Sequence, residues 1–178
     1  MTFIILKSEF RNPNYIYISH ILKQKVPTME MTFAMIKPNA VKSGLIGRII
    51  DRYIAAGLSV CAVKMHQMTS ADARGFYAEH VEKPFFPELE AYMTKGPSVM
   101  LALGGENAIA KVRAINGATN PAKAEPGTLR YDFAPSMTEN VVHSSDSPES
   151  AKRELDFWFK EDERYAYEMP SLKACCVL

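Results

Sequence analysis

The chain has 178 residues, of which 47% are hydrophobic and 23% are charged, and this length predicts a single globular domain with a sizeable core. Its formal net charge of +1 argues against a sequence-independent nucleic-acid binder, since such proteins usually carry a strong basic excess. The three cysteines are too few for a disulfide framework and do not suggest a zinc site, and no apolar run approaches the roughly 20 residues of a membrane-spanning helix.

The chain is predicted to divide into three parts, namely an N-terminal extension over 1–30, a folded domain over 31–162 and a C-terminal tail over 163–178. Residues 1–28 hold four Lys or Arg, one acidic residue and no clear hydrophobic period, which favours a poorly ordered arm. The scarcity of acids also leaves open an organelle-targeting segment, and a start of translation at Met29 or Met31 is a further alternative.

Hydrophobic spacing and helix-capping residues predict alternating strands and helices within the domain. Strands are expected at 32–36, 58–66 and 98–103, with a fourth that leads up to residue 143. Helices are expected at 46–56, 70–80, 87–93, 106–116 and 148–159. This order is consistent with a split β-α-β arrangement, although the pattern alone does not determine the strand order.

The segment that ends at Ser147 places one histidine in an unusual setting. Asn140 and two valines lead to His143, which is followed by small polar residues and an acid. Ser147 and Pro148 are typical of a helix start, so His143 lies at a strand-to-helix turn. Such turns present backbone N–H groups to anions, and a half-buried imidazole there can act as a nucleophile. On this segment alone, a purely structural histidine is an equal alternative.

Cationic residues stand at other predicted element ends. Lys37 follows the first strand directly, at a turn before a helix. Arg113, Thr119 and Arg130 lie in or beside residues 116–132, a stretch rich in Gly, Pro and polar residues. One nucleophile, one lysine and two arginines would suit a polyphosphate ligand.

Seven segments of the chain resemble the nucleoside diphosphate kinase family, in the right order and at the right spacing. They are 35–41, 44–47, 76–77 with 83–86, 98–103, 117–121, 126–130 and the segment around His143. The resemblance covers nearly all of 32–160. It implies an α/β (α+β) domain with the ferredoxin-like split β-α-β fold, in which helices cover a four-stranded antiparallel sheet.

The resemblance also implies the catalytic roles. His143 would accept the γ-phosphoryl group of a nucleoside triphosphate and pass it to a diphosphate, in a ping-pong reaction through phosphohistidine. Glu154 would hold the ring nitrogen that is not phosphorylated, while Lys37 and Tyr77 would meet the migrating phosphoryl group. Without the resemblance, Glu154 would be interpreted as part of a solvated helix face and Tyr77 as packing.

The nucleotide-binding residues are likewise implied by the family. Arg113 and Arg130 would grip the distal phosphates with help from the Thr119 hydroxyl, and Asn140 would hydrogen-bond the sugar. The base would lie between Phe85 and Met137, with Leu89 lining the same slot. Recognition by stacking predicts a broad range of nucleotides. One of the adjacent residues Phe85 and Phe86 is expected to belong to the core instead.

Ser145 and Asp146 are expected to support the site. No run of acids forms a cage for a metal, so Mg²⁺ would arrive on the nucleotide phosphates and touch Asp146 through water. ATP and other nucleoside tri- and diphosphates are the expected partners. The loop over 116–132 resembles one that makes subunit contacts in the family, so a homo-oligomer is expected, with a hexamer first.

Two other functions stay open at this stage. One is a catalytically weak family member that binds nucleotides as a regulatory or scaffold protein. It would be favoured if Ser144 or Tyr131, which replace common glycines of the family, blocked the site; Asn39 and Lys83 also depart from the family pattern. The other is a nucleic-acid-binding module of ferredoxin-like fold, but neither a basic stripe nor exposed sheet aromatics are evident.

The expected location is the cytoplasm, which suits the composition of a compact enzyme. The C-terminal residues fit a weak prenylation box with Cys175 as acceptor, and lipid anchoring there would bring the protein to a membrane. Too few basic residues precede the box to give a second membrane signal.

Overall fold

A computed structural model describes residues 29–167. The strands are β1 (Glu30–Ile36), β2 (Ser59–His66), β3 (Ser98–Gly105) and β4 (Val142–Ser144). The α-helices are α1 (Pro38–Lys42), α2 (Ile46–Ala55), α3 (Ser70–Phe76), α4 (Phe86–Met93), α5 (Ala108–Asn116), α6 (Leu129–Phe133) and α7 (Pro148–Trp158). Short 3₁₀ turns occur at Ala78–His80, Pro121–Lys123 and Glu161–Glu163. The predictions for residues 1–28 and for Cys175 lie outside the described residues.

The four strands form one antiparallel sheet in the order β2-β3-β1-β4. This order confirms the predicted split β-α-β fold. Successive residues of β1 point to opposite faces, so Phe33 and Met35 join one apolar cluster while Ala34 and Ile36 join another. Side chains of α3, α4 and α7 complete the first cluster, and those of α2, α5 and α6 complete the second. Helices were predicted to cover the sheet, and the structure shows them on both of its faces.

The structure differs from the sequence prediction at several helices. The predicted helix over 70–80 ends at Phe76, and a 3₁₀ turn follows it. Helices α1 and α6 have only five residues each and were not predicted, because so short a segment carries too little periodicity to detect. Helix α5 begins at Ala108 instead of 106, because Asn107 adopts a left-handed conformation with φ 53°. No helix within 29–167 is long and apolar enough to cross a membrane.

A distant carboxylate caps α5. The Asn107 side chain makes no capping hydrogen bond, and Glu30 Oε2 on β1 instead accepts from the Ile109 N–H at 3.0 Å. We expect Glu30→Ala to lower stability by about 1 kcal/mol, the usual contribution of a helix N-cap, and the melting temperature by roughly 3–6 °C. Glu30→Gln, which keeps an acceptor oxygen, should retain most of the stability. Equal melting temperatures for Glu30→Ala and the parent would contradict this role.

Candidate active site

His143 lies on β4, one of the two edge strands of the sheet, where it pairs with Met35 of β1. The residue two before it, Val141, has φ 59°, which is a rare conformation for a β-branched residue and costs roughly 1–3 kcal/mol. Two backbone hydrogen bonds hold this turn: Lys37 N–H donates to the Val141 carbonyl at 2.9 Å, and Val142 N–H donates to the Asn140 carbonyl at 2.7 Å. The strained turn was not predicted, because valine normally indicates extended backbone.

The imidazole of His143 is fixed by a buried acid. Nε2 lies 3.0 Å from each carboxylate oxygen of Glu154 on α7, and Glu154 Oε2 also accepts from Ser145 Oγ at 2.7 Å. Because a carboxylate offers only acceptors, we assign the ring proton to Nε2. Nδ1 then carries the lone pair, and it has no hydrogen-bond partner within 29–167. The geometry thus leaves Nδ1 as the nucleophilic atom.

Aromatic rings surround His143 on its inner side. The ring centroids of Phe33, Phe76 and Tyr77 lie 6.0, 5.4 and 6.2 Å from that of the imidazole. The Tyr77 hydroxyl is buried and has no hydrogen-bond partner among residues 29–167. Burial raises the pKa of Tyr77 above its ordinary value, so the hydroxyl stays protonated and can donate to an incoming anion.

Lys37 is buried at the end of β1, where its Nζ donates to Asn140 Oδ1 at 2.6 Å. Burial, helped by the nearby charge of Arg130, lowers the pKa of Lys37 from 10.5 to about 7. At pH 8, which lies above this pKa, the neutral form of Lys37 is therefore favoured. An anion beside Nζ would favour the charged form and raise this pKa again.

Binding of a polyphosphate should therefore take up protons above pH 7. We expect the uptake to approach one proton per site near pH 8 and to vanish below about pH 6, where Lys37 is already charged. Calorimetric titration in two buffers of different ionisation enthalpy measures this number. Lys37→Met should remove the uptake. A proton count that is independent of pH between 6 and 8 would contradict the assignment.

Arg130 lies on α6 and is almost fully buried. Its Nη1 donates to the Gly117 carbonyl at 2.6 Å and its Nη2 to the Val142 carbonyl at 2.9 Å, while Nε is buried without a partner in 29–167. Burial lowers the pKa of Arg130, but a guanidinium remains charged in proteins. Gly117 has φ 78°, and a Cβ there would come within 2.4 Å of Thr128 Oγ1. The close approach of residue 117 to Thr128 therefore requires glycine.

These residues meet in one open cleft of about 510 Å³. The predicted site residues that line it are Lys37, Arg113, Thr119, Arg130, Asn140, His143, Asp146 and Glu154. Tyr77 and Ser145 are buried next to it, in contact with the His143 ring and with Glu154 respectively. The cleft thus combines a nucleophilic nitrogen with Lys37 and three arginines, of which Arg113 and Arg130 were predicted. Such a site can accept a phosphoryl group from a polyphosphate.

Comparison with known proteins agrees with this chemistry. The family model described as nucleoside diphosphate kinase matches residues 30–164. The chain is 52% identical to a nucleoside diphosphate kinase of Helicobacter hepaticus, over 76% of this chain and 98% of that protein. It is 50% identical to one of Methanosarcina barkeri, over 76% of this chain and 91% of that protein. The crystal structure of the Aquifex aeolicus nucleoside diphosphate kinase matches with a TM-score of 0.74 and 41% identity, covering 76% of this chain and 99% of that chain.

The chain belongs to the nucleoside diphosphate kinase family. This membership confirms the family, the enzyme class and the phosphotransferase function that the sequence predicted.

The residues that the family implies for base binding lie beyond the cleft lining. Phe85 and Met137 of the kinase are 52% and 58% exposed, so both present apolar surface to solvent. Thr138 Oγ1 donates to Glu88 on α4 at 3.0 Å, which ties the loop of Met137 to the helix that follows Phe85. Phe86 is buried, so the prediction that one of the two adjacent phenylalanines belongs to the core is confirmed.

Several residues that line the cleft of the kinase were not predicted as site residues, among them four charged or polar side chains. Glu79 and His80 come from the 3₁₀ turn after α3, and Ser150 and Arg153 come from α7. Arg153 and Glu79 form an ion pair across the rim. The helical spacing of Ser150, Arg153 and Glu154 could have indicated a common face of α7, but nothing in the sequence shows that this face meets the turn at His80.

The kinase offers few ligands for a metal ion. Within 29–167, no group of three or more His, Cys, Asp or Glu side chains could hold one. Asp146 lines the cleft, and a hydrogen bond from Ser150 at 2.8 Å lowers the pKa of Asp146. A carboxylate beside a polyphosphate site, without a cage of several ligands, fits a hydrated Mg²⁺ that is carried mainly by the phosphates.

Two departures from the family pattern, Tyr131 and Ser144, cause no backbone strain. Tyr131 lies in α6 with its side chain 54% exposed, and Ser144 lies in β4. Neither has a positive φ, since Asn107 and Val141 are the non-glycine residues with positive φ in the described part of the chain. The backbone therefore accommodates a tyrosine and a serine at these positions without strain. Asn39 is integrated into the structure, because its Nδ2 donates to the Glu139 carbonyl at 2.9 Å beside the strained turn.

Proposed function

We propose that this kinase transfers the γ-phosphoryl group of ATP or another nucleoside triphosphate to a nucleoside diphosphate through a phosphohistidine at Nδ1 of His143. One observation carries the proposal. Glu154 holds Nε2 with both carboxylate oxygens, so Nδ1 is the ring atom left for attack, in a cleft lined by Lys37, Arg113 and Arg130.

In the first half-reaction, the Nδ1 lone pair forms a bond to the γ-phosphorus while the bond to the β–γ bridging oxygen breaks. The diphosphate leaves with that oxygen. The second half-reaction is the reverse, with a terminal oxygen of the acceptor diphosphate attacking the phosphohistidine. Glu154 accepts a hydrogen bond from Nε2–H in both half-reactions and stabilises the positive charge that forms on the ring on attack.

The cations and hydroxyls of the cleft would stabilise the transferred group. Lys37 and Tyr77 each present a buried polar group with few protein partners, which suits contact with the migrating phosphoryl oxygens. Arg113, Arg130 and Thr119 would hold the remaining phosphates. The guanidinium fork favours paired contacts with phosphate oxygens.

The nucleoside would lie towards the exposed apolar residues outside the cleft. Phe85 and Met137 would stack on the two faces of the base and Leu89 would line the slot, while Asn140 would contact the sugar. Stacking does not distinguish bases strongly, so we infer a broad nucleotide range. Mg²⁺ would come with the phosphates, and Asp146 would touch its water shell.

The domain boundaries, the location and the oligomeric state of the protein are proposals as well. The domain is proposed to span 31–162, between an N-terminal extension and a C-terminal tail. We infer a cytoplasmic homo-oligomer, with a hexamer first, in which the loop over 116–132 contributes subunit contacts. Exposed Val63 and Met65 on the edge strand β2 also suit a subunit contact, because isolated apolar edges are usually covered.

A transfer assay tests this function. The purified kinase, Mg²⁺ and γ-labelled ATP would be mixed with GDP, CDP, UDP or dTDP, and labelled triphosphates would be separated. We expect label in all four products, with rates within about tenfold of one another, and a loss of at least about 100-fold when EDTA removes the metal. Nucleotide binding without label transfer would contradict the proposal and favour the catalytically weak alternative.

A further inference from the structure

Helix α6 carries Arg130 but has little stability of its own. It has only five residues, Leu129–Phe133, and a helix of this length does not persist without tertiary contacts. On its inner side, Leu129 is fully buried and Thr128 caps the N-terminus by accepting from the Tyr131 N–H. The position of Arg130 therefore depends on what holds the outer side of the helix.

Arg52 of α2 holds that outer side. Its Nη1 donates to the carbonyl of Gly127, just before the helix, at 2.7 Å. Its Nη2 donates to Asp132 Oδ2, in the last turn of the helix, at 2.7 Å. The guanidinium carbon also lies 5.7 Å from the ring centroid of Phe133. One planar side chain thus contacts the segment on both sides of Arg130.

Arg130 and Arg52 connect the segment over 127–133 to different parts of the domain. Arg130 points inward and donates to the carbonyls of Gly117 and Val142, next to His143. Arg52 is about one-third exposed and its three contacts all fall on residues 127–133. An exposed ion pair adds little stability, but a rigid guanidinium fork with two acceptors fixes geometry.

We propose that Arg52 is a positioning residue for phosphoryl transfer, which sets the place of Arg130 by clamping both ends of α6. The inference rests on the phosphate-binding role given to Arg130 in the proposed function. The hydrogen-bond partners of Arg52, Gly127 and Asp132, do not line the cleft, so Arg52 acts through the helix backbone. Its loss lets α6 move, so that Arg130 meets the phosphates at a worse angle.

Arg48 provides a matched control one turn earlier on α2. Its guanidinium lies 4.7 Å from the same Phe133 ring, but it makes no hydrogen bond to residues 127–133. Arg48→Met removes the same charge and a similar stacking contact. Any effect that is specific to Arg52 must therefore come from the two hydrogen bonds at Gly127 and Asp132.

The test is a double-mutant cycle in which kcat/KM is measured for the full-length protein. The cycle uses Arg52→Met, Arg130→Met and Arg52→Met/Arg130→Met, with Arg48→Met as the control. The melting temperature and the light scattering of each variant are measured as well. We expect Arg52→Met to lower kcat/KM about tenfold and Arg48→Met less than twofold. In the Arg130→Met background, Arg52→Met should change kcat/KM less than twofold, because the side chain that it positions is gone. Asp132→Asn weakens one of the two hydrogen bonds and should lower kcat/KM about threefold. This variant replaces Arg52→Met in the test if Arg52→Met does not fold.

Four results would overturn the inference. Equal losses for Arg52→Met and Arg48→Met would assign the effect to charge or stacking. The same factor in both Arg130 backgrounds would show that Arg52 does not act through Arg130. If a high protein concentration restored the kcat/KM of Arg52→Met to the parent value, the loss would be assigned to subunit dissociation. Parent-level kcat/KM for Arg130→Met alone would refute the proposed role of Arg130, and the role of Arg52 with it.

Discussion

Replacing His143 with alanine is expected to lower phosphoryl transfer by at least about 10⁴-fold, because it removes the atom that forms the covalent intermediate. Lys37 and Arg130 hydrogen-bond to groups other than the imidazole, so nucleotide affinity should change little. The loss should therefore fall on kcat, not on KM. Steady-state kinetics and equilibrium nucleotide binding measure the two effects separately.

His66→Ala is a suitable control for this variant. His66 on β2 pairs with Asp72 at 3.0 Å and does not line the cleft, so its loss should leave kcat within about twofold of the parent. A His143→Ala protein that retained more than about 1% of parent activity would show that another group accepts the phosphoryl. The mechanism would then be wrong even if the family assignment stood.

Arg130→Ala is expected to lower kcat/KM by about 10²–10³-fold, the usual cost of removing one preorganised charge from a transition state. The structure adds a second cost, because the Gly117 and Val142 carbonyls lose their donor beneath the site. The buried Val142 carbonyl, if left unpaired, costs about 1–3 kcal/mol, so the melting temperature should fall as well. Kinetics and thermal unfolding of the same sample measure both.

Arg130→Lys separates charge from geometry. Lysine keeps the positive charge but cannot donate to two carbonyls through a planar fork, so we expect a loss that is smaller than that of alanine but still about tenfold. Activity of Arg130→Lys equal to that of the parent would mean that charge alone suffices. In that case the hydrogen bonds to Gly117 and Val142 would have no catalytic importance.

Most of the regular structure could be predicted from local patterns. Strands β1 and β3 show continuous apolar runs, and α7 is marked by Ser147 and Pro148 at its start, where the structure shows a Ser147 capping box. The short helix α6 could not be predicted, because contacts with Arg52 and the core stabilise it and local propensity does not. The ferredoxin-like fold with its antiparallel sheet came from the family resemblance, and the structure confirms it.

The site was harder to predict from residues alone, because its contacts are far apart in sequence. Lys37 and Asn140 are 103 residues apart, yet they share a hydrogen bond in the structure. The positive φ of Val141 contradicts the extended preference of valine, and the contacts with residues 37–39 impose it. Tyr131 replaces a glycine that is common in the family, and the sequence alone did not show that this position lies in a short helix, where a tyrosine is accommodated without a positive φ.

The most direct test of the mechanism is to identify the phosphorylated atom. The kinase would be mixed with Mg²⁺ and ATP without acceptor, and the phosphoenzyme would be examined by ³¹P and ¹⁵N NMR under alkaline conditions, where phosphohistidine survives. Because Glu154 occupies Nε2, phosphate should be found on Nδ1 of His143, and added GDP should discharge it. Phosphate on Nε2, on a serine or on another histidine would contradict the account.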